Sequence, residues 1–288
     1  MGKLACLVSL LAADLLAQTP PRTAAALPDW VQREADIAYD RYPETVLDVL
    51  IPKTAPAKNR PGVIVIHGGG WIGGSRDAMI RNFCLPYLEK GFVVANVEYR
   101  LAKVAPAPAA VADVLRAADW FRRNAKRFQV NPNRIVVTGG SAGGHLALMV
   151  GLTPKSAGLG PPAKVAAVIN FYGITDVADQ LSGPNRREYA VTWVPEQDGR
   201  LELARRVSPI TYVRKNVPPV LTIHGDADPT VPYEHGVRLT RALREAGADA
   251  ELLSIRGGKH GGFSPEQMAS IYNEIFRFLQ SRRIIGPQ

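Results

Sequence analysis

Cysteine is scarce in this chain: 288 residues hold only two, Cys6 and Cys84. Cys6 lies in a stretch that reads as removable, which would leave Cys84 alone and exclude an intramolecular disulfide. A buried core must then hold the fold. Cys84 sits in the apolar run Asn82-Phe-Cys-Leu-Pro-Tyr87, where a lone thiol behaves as a small hydrophobe. No His and Cys spacing suits zinc, so no metal site is expected. Also missing is an apolar run of about 20 residues, the length a membrane span needs. The nearest candidate is Leu4 to Ala13 with Leu15, Leu16 and Ala17, preceded by Lys3 and followed by the Pro-rich Gln18 to Arg22. That order matches a secretory signal peptide over residues 1–17, although Asp14 and Leu15 make its cleavage site imperfect. Secreted or periplasmic export is the expectation, with an amphipathic N-terminal helix as the alternative.

Concentrated positive charge is lacking as well. The formal net charge is +9, yet pairs such as Arg122/Arg123, Arg186/Arg187 and Arg205/Arg206 are scattered among carboxylates on separate segments. Nucleic-acid binding requires clustered cations, so no nucleic-acid partner is expected. Neither a Gly-Lys-Ser/Thr nor a Gly-x-Gly-x-x-Gly phosphate cradle accompanies the glycines. There is no internal repeat.

What is present is the composition of a globular protein, 46% hydrophobic and 21% charged. Short β-branched runs at Val46 to Ile51, Val63 to Ile66, Phe92 to Val97, Arg134 to Thr138, Val165 to Asn170, Val220 to His224 and Glu251 to Ile255 predict strands. They alternate with helical periodicity at Ala109 to Phe128, Gly144 to Leu152, Tyr233 to Ala246 and Ser264 to Arg282. The alternation predicts an α/β fold with a mostly parallel central sheet flanked by helices. After an N-terminal segment, 18–45, one domain is expected over 46–288. Its weakly periodic stretch 173–209 reads as a small lid-like insert.

Gly139-Gly-Ser141-Ala-Gly143 lies between a predicted strand and a predicted helix. A nucleophile on a sharp strand-to-helix turn needs small neighbours, and the helix N-terminus favours developing negative charge. A serine hydroxyl is inert without a base and a group to orient that base. His260, in a glycine-rich loop after one strand, and Asp228, in the loop after another, supply both in the chain order Ser, Asp, His. Parallel strands end on one edge, so such residues can meet there. Asp226 and Asp176 are the competing acids, Asp226 reading better as a turn residue. His67, His224, His145 and His235 fit the base role poorly, and His67 and His224 read as loop braces. His67-Gly-Gly-Gly-Trp71 follows a further strand. Its Gly69 and Gly70 amides, with that of Ala142, form the expected oxyanion hole. Trp71 and Tyr172 are candidates to line the substrate pocket, with simple packing as the alternative.

Together these motifs resemble the hormone-sensitive-lipase-like branch of the α/β-hydrolases, and within it the bacterial feruloyl and acetylxylan esterases. Glu98-Tyr-Arg-Leu101 with Asp113, Ser208-Pro-Ile210 and Lys259-His-Gly261 carry the resemblance further. It implies a cofactor-free serine carboxylesterase acting on small-molecule or carbohydrate-linked esters. Leu101-Ala-Lys-Val-Ala-Pro106 departs from the family's usual pattern and bears on specificity. An amidase, aryl-formamidase or small peptidase on the same triad stays open, as does a non-catalytic binding module.

Overall fold

The computed structural model describes residues 27–54 and 58–286, so the expected signal peptide and Cys6 lie outside the described residues. Eight strands form one sheet: β1 (Val31–Ala38), β2 (Val46–Pro52), β3 (Arg60–Ile66), β4 (Val93–Val97), β5 (Val130–Gly140), β6 (Ala167–Phe171), β7 (Val220–Gly225) and β8 (Ala250–Ile255). Their spatial order is β1-β2-β4-β3-β5-β6-β7-β8. The β1/β2 and β2/β4 pairs are antiparallel, and every pair from β4 to β8 is parallel.

The helices are α1 (Leu85–Glu89), α2 (Ala109–Arg123), α3 (Ala142–Leu152), α4 (Glu188–Trp193), α5 (Arg200–Arg206), α6 (Glu234–Glu245) and α7 (Pro265–Ser281). Central strands covered on both faces need no polar alternation. Thus on β3 Ile64 and Ile66 join a core with Val111, Val114 and Leu146 from α2 and α3. Val63 and Val65 face a second core with Leu88, Ile275 and Phe278 from α1 and α7. All eleven residues of α3 are buried, as the helix is hydrophobic all round. The α7 start is fixed by a capping box in which Ser264 Oγ accepts from Gln267 N and the Gln267 side chain accepts from Ser264 N.

Three segments differ from expectation. Strand β1 falls in the stretch expected only as an N-terminal segment. It is an edge strand whose residues are mostly exposed, with a bulge between Glu34 and Ile37, so it carries no hydrophobic alternation. Helix α2 stops at Arg123, where turns replace the expected last residues up to Phe128. A π-turn over Ile80–Cys84 running into α1 was not anticipated, and Cys84 is fully buried there.

The stretch 173–209 holds short 3-10 turns, α4 and α5. It is tied down over the sheet edge. Arg187 donates to the carbonyls of Pro229 and Thr230, and Trp193 O accepts from Ala107 N. The Arg100 guanidinium and Asp113 form a buried ion pair at 2.6 Å, joining the loop after β4 to α2. No helix among the described residues is long and apolar enough to cross a membrane.

Candidate active site

Strands β3, β5, β7 and β8 run parallel, so the loops after them emerge on one edge of the sheet. Ser141 follows β5 directly and carries the left-handed φ of 58° with ψ of −122°. Such a conformation costs a non-glycine residue about 1–3 kcal/mol and persists only where surroundings enforce it. The enforcement is visible: a Cβ on Gly139 would lie 2.4 Å from Ile66 O, and one on Gly143 would lie 2.1 Å from the same atom. Both glycines let β5 and α3 close against β3, which turns Ser141 outward. Ser141 N donates to Phe171 O, and His145 N donates to Ser141 O, pinning the turn.

The structure brings Ser141, His260 and Asp228 into one chain of hydrogen bonds. His260 Nδ1 lies 2.7 Å from Asp228 Oδ2, and His260 Nε2 lies 2.8 Å from Ser141 Oγ. A carboxylate only accepts, so Nδ1 carries the proton, and Nε2 is the acceptor for the serine hydroxyl. Asp228 Oδ1 accepts from the amides of Thr230 and Val231 at 2.8 and 3.0 Å. Burial works against the charged form of Asp228. Hydrogen bonds from His224, His260 and the Thr230 amide outweigh it and hold the carboxyl well below its ordinary range. Asp226 accepts from Gly257 N and stays outside this chain, while Asp176 pairs with Arg238.

Gly69 and Gly70, with left-handed φ of 112° and 60°, line a cavity of about 390 Å³ together with Ser141 and His260. The amide of Ala142 opens α3, where a helix has no internal acceptor for it. The loop holding these glycines is braced by His67. Its Nε2 lies 2.7 Å from Glu98 Oε1 and its Nδ1 2.7 Å from Gly68 O. Its ring stacks on Tyr99 at 4.2 Å, and Tyr99 Oη donates to His67 O. Both ring nitrogens lie against oxygens, so the ring is held from two sides. Burial of Glu98 opposes its ionisation, but the bond from His67 prevails and lowers its pKa. His224 donates from Nε2 to Val231 O and lies 3.4 Å from Asp228, beneath the acid loop.

The two aromatic candidates separate. Tyr172 lines the cavity. Trp71 does not: it is fully buried, stacked on Trp193 at 4.1 Å, with its indole N–H donating to His145 Nδ1. A cluster of three rings at the base of the glycine loop gives Trp71 more buried contact than a cavity wall offers.

Met79, Phe83, Tyr189 and Thr230 complete the lining and were not anticipated. Tyr189 comes from α4 in the insert, and a Cβ on Gly70 would meet it at 2.7 Å. Only the aromatic content of 173–209 hinted at this. Among the described residues no group of His, Cys, Asp and Glu is placed to hold a metal ion.

A sheet with this order and helices on both faces, with the Ser141 turn on its carboxyl edge, is the α/β-hydrolase fold. Within that class the chain belongs to the BD-FAE family, which it matches over residues 47–243. It is 32% identical over 256 residues to Esterase LipC of Mycobacterium tuberculosis, covering 85% of this chain and 63% of that protein. With Esterase LipQ of the same organism it shares 30% identity over 232 residues, covering 76% of this chain and 54% of that protein. The chain thus spans under two thirds of the length of these curated relatives.

Among solved structures, a truncated form of a carbohydrate esterase from gut microbiota superposes with a TM-score of 0.76 at 27% identity. That match covers 85% of this chain and 95% of the other. Thermogutta terrifontis esterase 2, phosphorylated by paraoxon, superposes with a TM-score of 0.73 at 26% identity, covering 90% and 97%.

Proposed function

We propose that the chain is a serine carboxylesterase for small or carbohydrate-linked esters. The observation that carries this reading is the unbroken relay from Asp228 through His260 to Ser141 Oγ at the wall of an open cavity. Ser141 attacks the ester carbonyl while His260 Nε2 takes its proton, and Asp228 holds the ring in the required tautomer and balances its charge. The amides of Gly69, Gly70 and Ala142 meet the oxyanion, each worth about 3 kcal/mol of transition-state stabilisation. His260 returns the proton to the departing alcohol. Water, activated by the same histidine, then releases the acid from the acyl-enzyme.

A cavity of about 390 Å³ walled by Met79, Phe83, Tyr172 and Tyr189 suits a compact acyl or aryl group more than a long chain. Membership of the BD-FAE family and the likeness to a carbohydrate esterase support esters of sugars, with acetylated xylan and feruloyl esters as the finer expectation. Export through residues 1–17 belongs to the same reading, as polymeric substrates lie outside the cell. N-terminal sequencing of the mature protein from the periplasm or medium checks it.

The function is tested with a panel of p-nitrophenyl acetate, longer acyl chains, acetylated xylan, methyl ferulate and a matched amide. The short and carbohydrate-linked esters are expected to turn over, and Ser141→Ala to abolish turnover with the fold intact. Retained activity in that variant, or preference for the amide, overturns the assignment.

A further inference from the structure

Tyr172 has a feature that wall-lining does not explain. Its ring lies 4.8 Å from the His260 ring and 5.9 Å from that of Phe263, so it is locked beside the proposed base. Its hydroxyl, however, has no hydrogen-bond partner among the described residues, although the residue borders the same cavity as Ser141 and His260. Space is reserved for that oxygen on two sides: a Cβ on Gly140 would stand 3.0 Å from Tyr172 Oη, and one on Gly261 2.9 Å from it. These glycines directly precede the nucleophile and follow the base. The Tyr172 backbone takes a left-handed φ of 39° to reach this position, a strained arrangement for an aromatic residue. A phenylalanine would pack the same ring without leaving a polar atom unpaired, so the fold itself gains nothing visible from the hydroxyl. Burial first, and then the Asp228 charge, push the phenol up to about 12, so it remains a donor throughout the neutral range.

We propose that Tyr172 Oη donates a hydrogen bond to the alcohol-side oxygen of the bound ester and so assists the departure of poorly leaving alcohols such as sugar hydroxyls. This role rests on the esterase reading above. In the collapse of the tetrahedral intermediate, the bond between the carbonyl carbon and the alkoxy oxygen breaks, and its electron pair goes to that oxygen. The oxygen takes the proton from His260 Nε2 and the carbonyl re-forms. Tyr172 keeps its own proton throughout and stabilises the charge that builds on the leaving oxygen.

The test is Tyr172→Phe assayed on p-nitrophenyl, phenyl and ethyl acetate, which share one acyl-enzyme and differ only in leaving group. Ethyl acetate is expected to lose about 10- to 100-fold in kcat/KM. The loss should shrink steadily toward the p-nitrophenyl ester, so the leaving-group dependence steepens. The thermal midpoint should not fall, as no bond within the fold is removed. Equal losses on all three esters, no loss on any, or a lowered midpoint overturns the role. Should Tyr172→Phe fail to fold, 4-fluorophenylalanine placed at position 172, which fills the hydroxyl's place without a donor, makes the same comparison. If the unaltered protein hydrolyses none of the three esters, the esterase reading itself has failed, and that outcome is distinct.

Discussion

Replacing Glu98 by Gln tests the carboxylate that braces the glycine loop. The substitution keeps the shape of the side chain and removes a carboxylate whose Oε1 lies 2.7 Å from His67 Nε2 and whose Oε2 accepts from Arg76 N at 3.2 Å. His67 is 1% exposed, so no water replaces the bond that Glu98 gives it. Weakening the hydrogen bonds of a partly buried carboxylate costs about 1.5–3 kcal/mol. The lower end applies here, as Glu98 retains 22% exposure. A loss of about 2 kcal/mol lowers the thermal midpoint by roughly 3–4 °C for a chain of this size.

Activity should fall with it. A His67 ring with a weaker partner holds Gly68 O less firmly and lets the neighbouring Gly69 and Gly70 amides shift, and one misplaced oxyanion donor costs about 10²-fold in kcat. The pH dependence has a definite sign. The folded pKa of Glu98 is lowered, so its contribution is present above the unfolded value of about 4.3 and is lost as pH falls through the folded one. Circular dichroism melts at pH 7 and pH 4, with kcat on p-nitrophenyl acetate, measure all three effects. An unchanged midpoint and kcat in Glu98→Gln would refute the brace.

Asp228→Asn should lower the melt, because the hydrogen bonds that hold the carboxylate charged also stabilise the fold, while kcat drops on the order of 10³–10⁴-fold as His260 loses its enforced tautomer; steady-state kinetics decide this. Gly143→Ala places a methyl 2.1 Å from Ile66 O and should destabilise the fold by at least about 3 kcal/mol, seen as lost soluble yield and a lower melt. His145 is buried with its pKa lowered to about 4, chiefly by burial. Its folded value lies below the unfolded one, so stability is full above about pH 6.5 and falls by up to roughly 3 kcal/mol as pH drops toward 4. Denaturant titrations over that window should show the decline, and His145→Gln should flatten it.

The parallel strands and the loops that follow them were legible because continuous apolar runs such as Val63 to Ile66 belong to strands buried on both faces. The placement of Ser141, Asp228 and His260 at one edge followed from that alternation and from the glycines around each of them. Strand β1 was not legible. Gln32, Arg33, Glu34 and Asp36 give it the composition of a surface loop, and only pairing with β2 makes it a strand. The lining residues Met79, Phe83 and Tyr189 come from a short turn and an irregular insert, which carry no periodicity to read. Trp71 shows the opposite limit. Its place beside the glycine loop says nothing of direction, and the side chain turns inward because Trp193 and His145 complete a packed cluster that only the tertiary fold assembles.

The proposed chemistry requires Ser141 to be a nucleophile activated by His260. Treating the intact protein with a fluorophosphonate and mapping the adduct by peptide mass spectrometry tests that directly. One equivalent bound at Ser141, lost in His260→Ala, is the predicted result. No adduct, or one carried by a different residue, contradicts it.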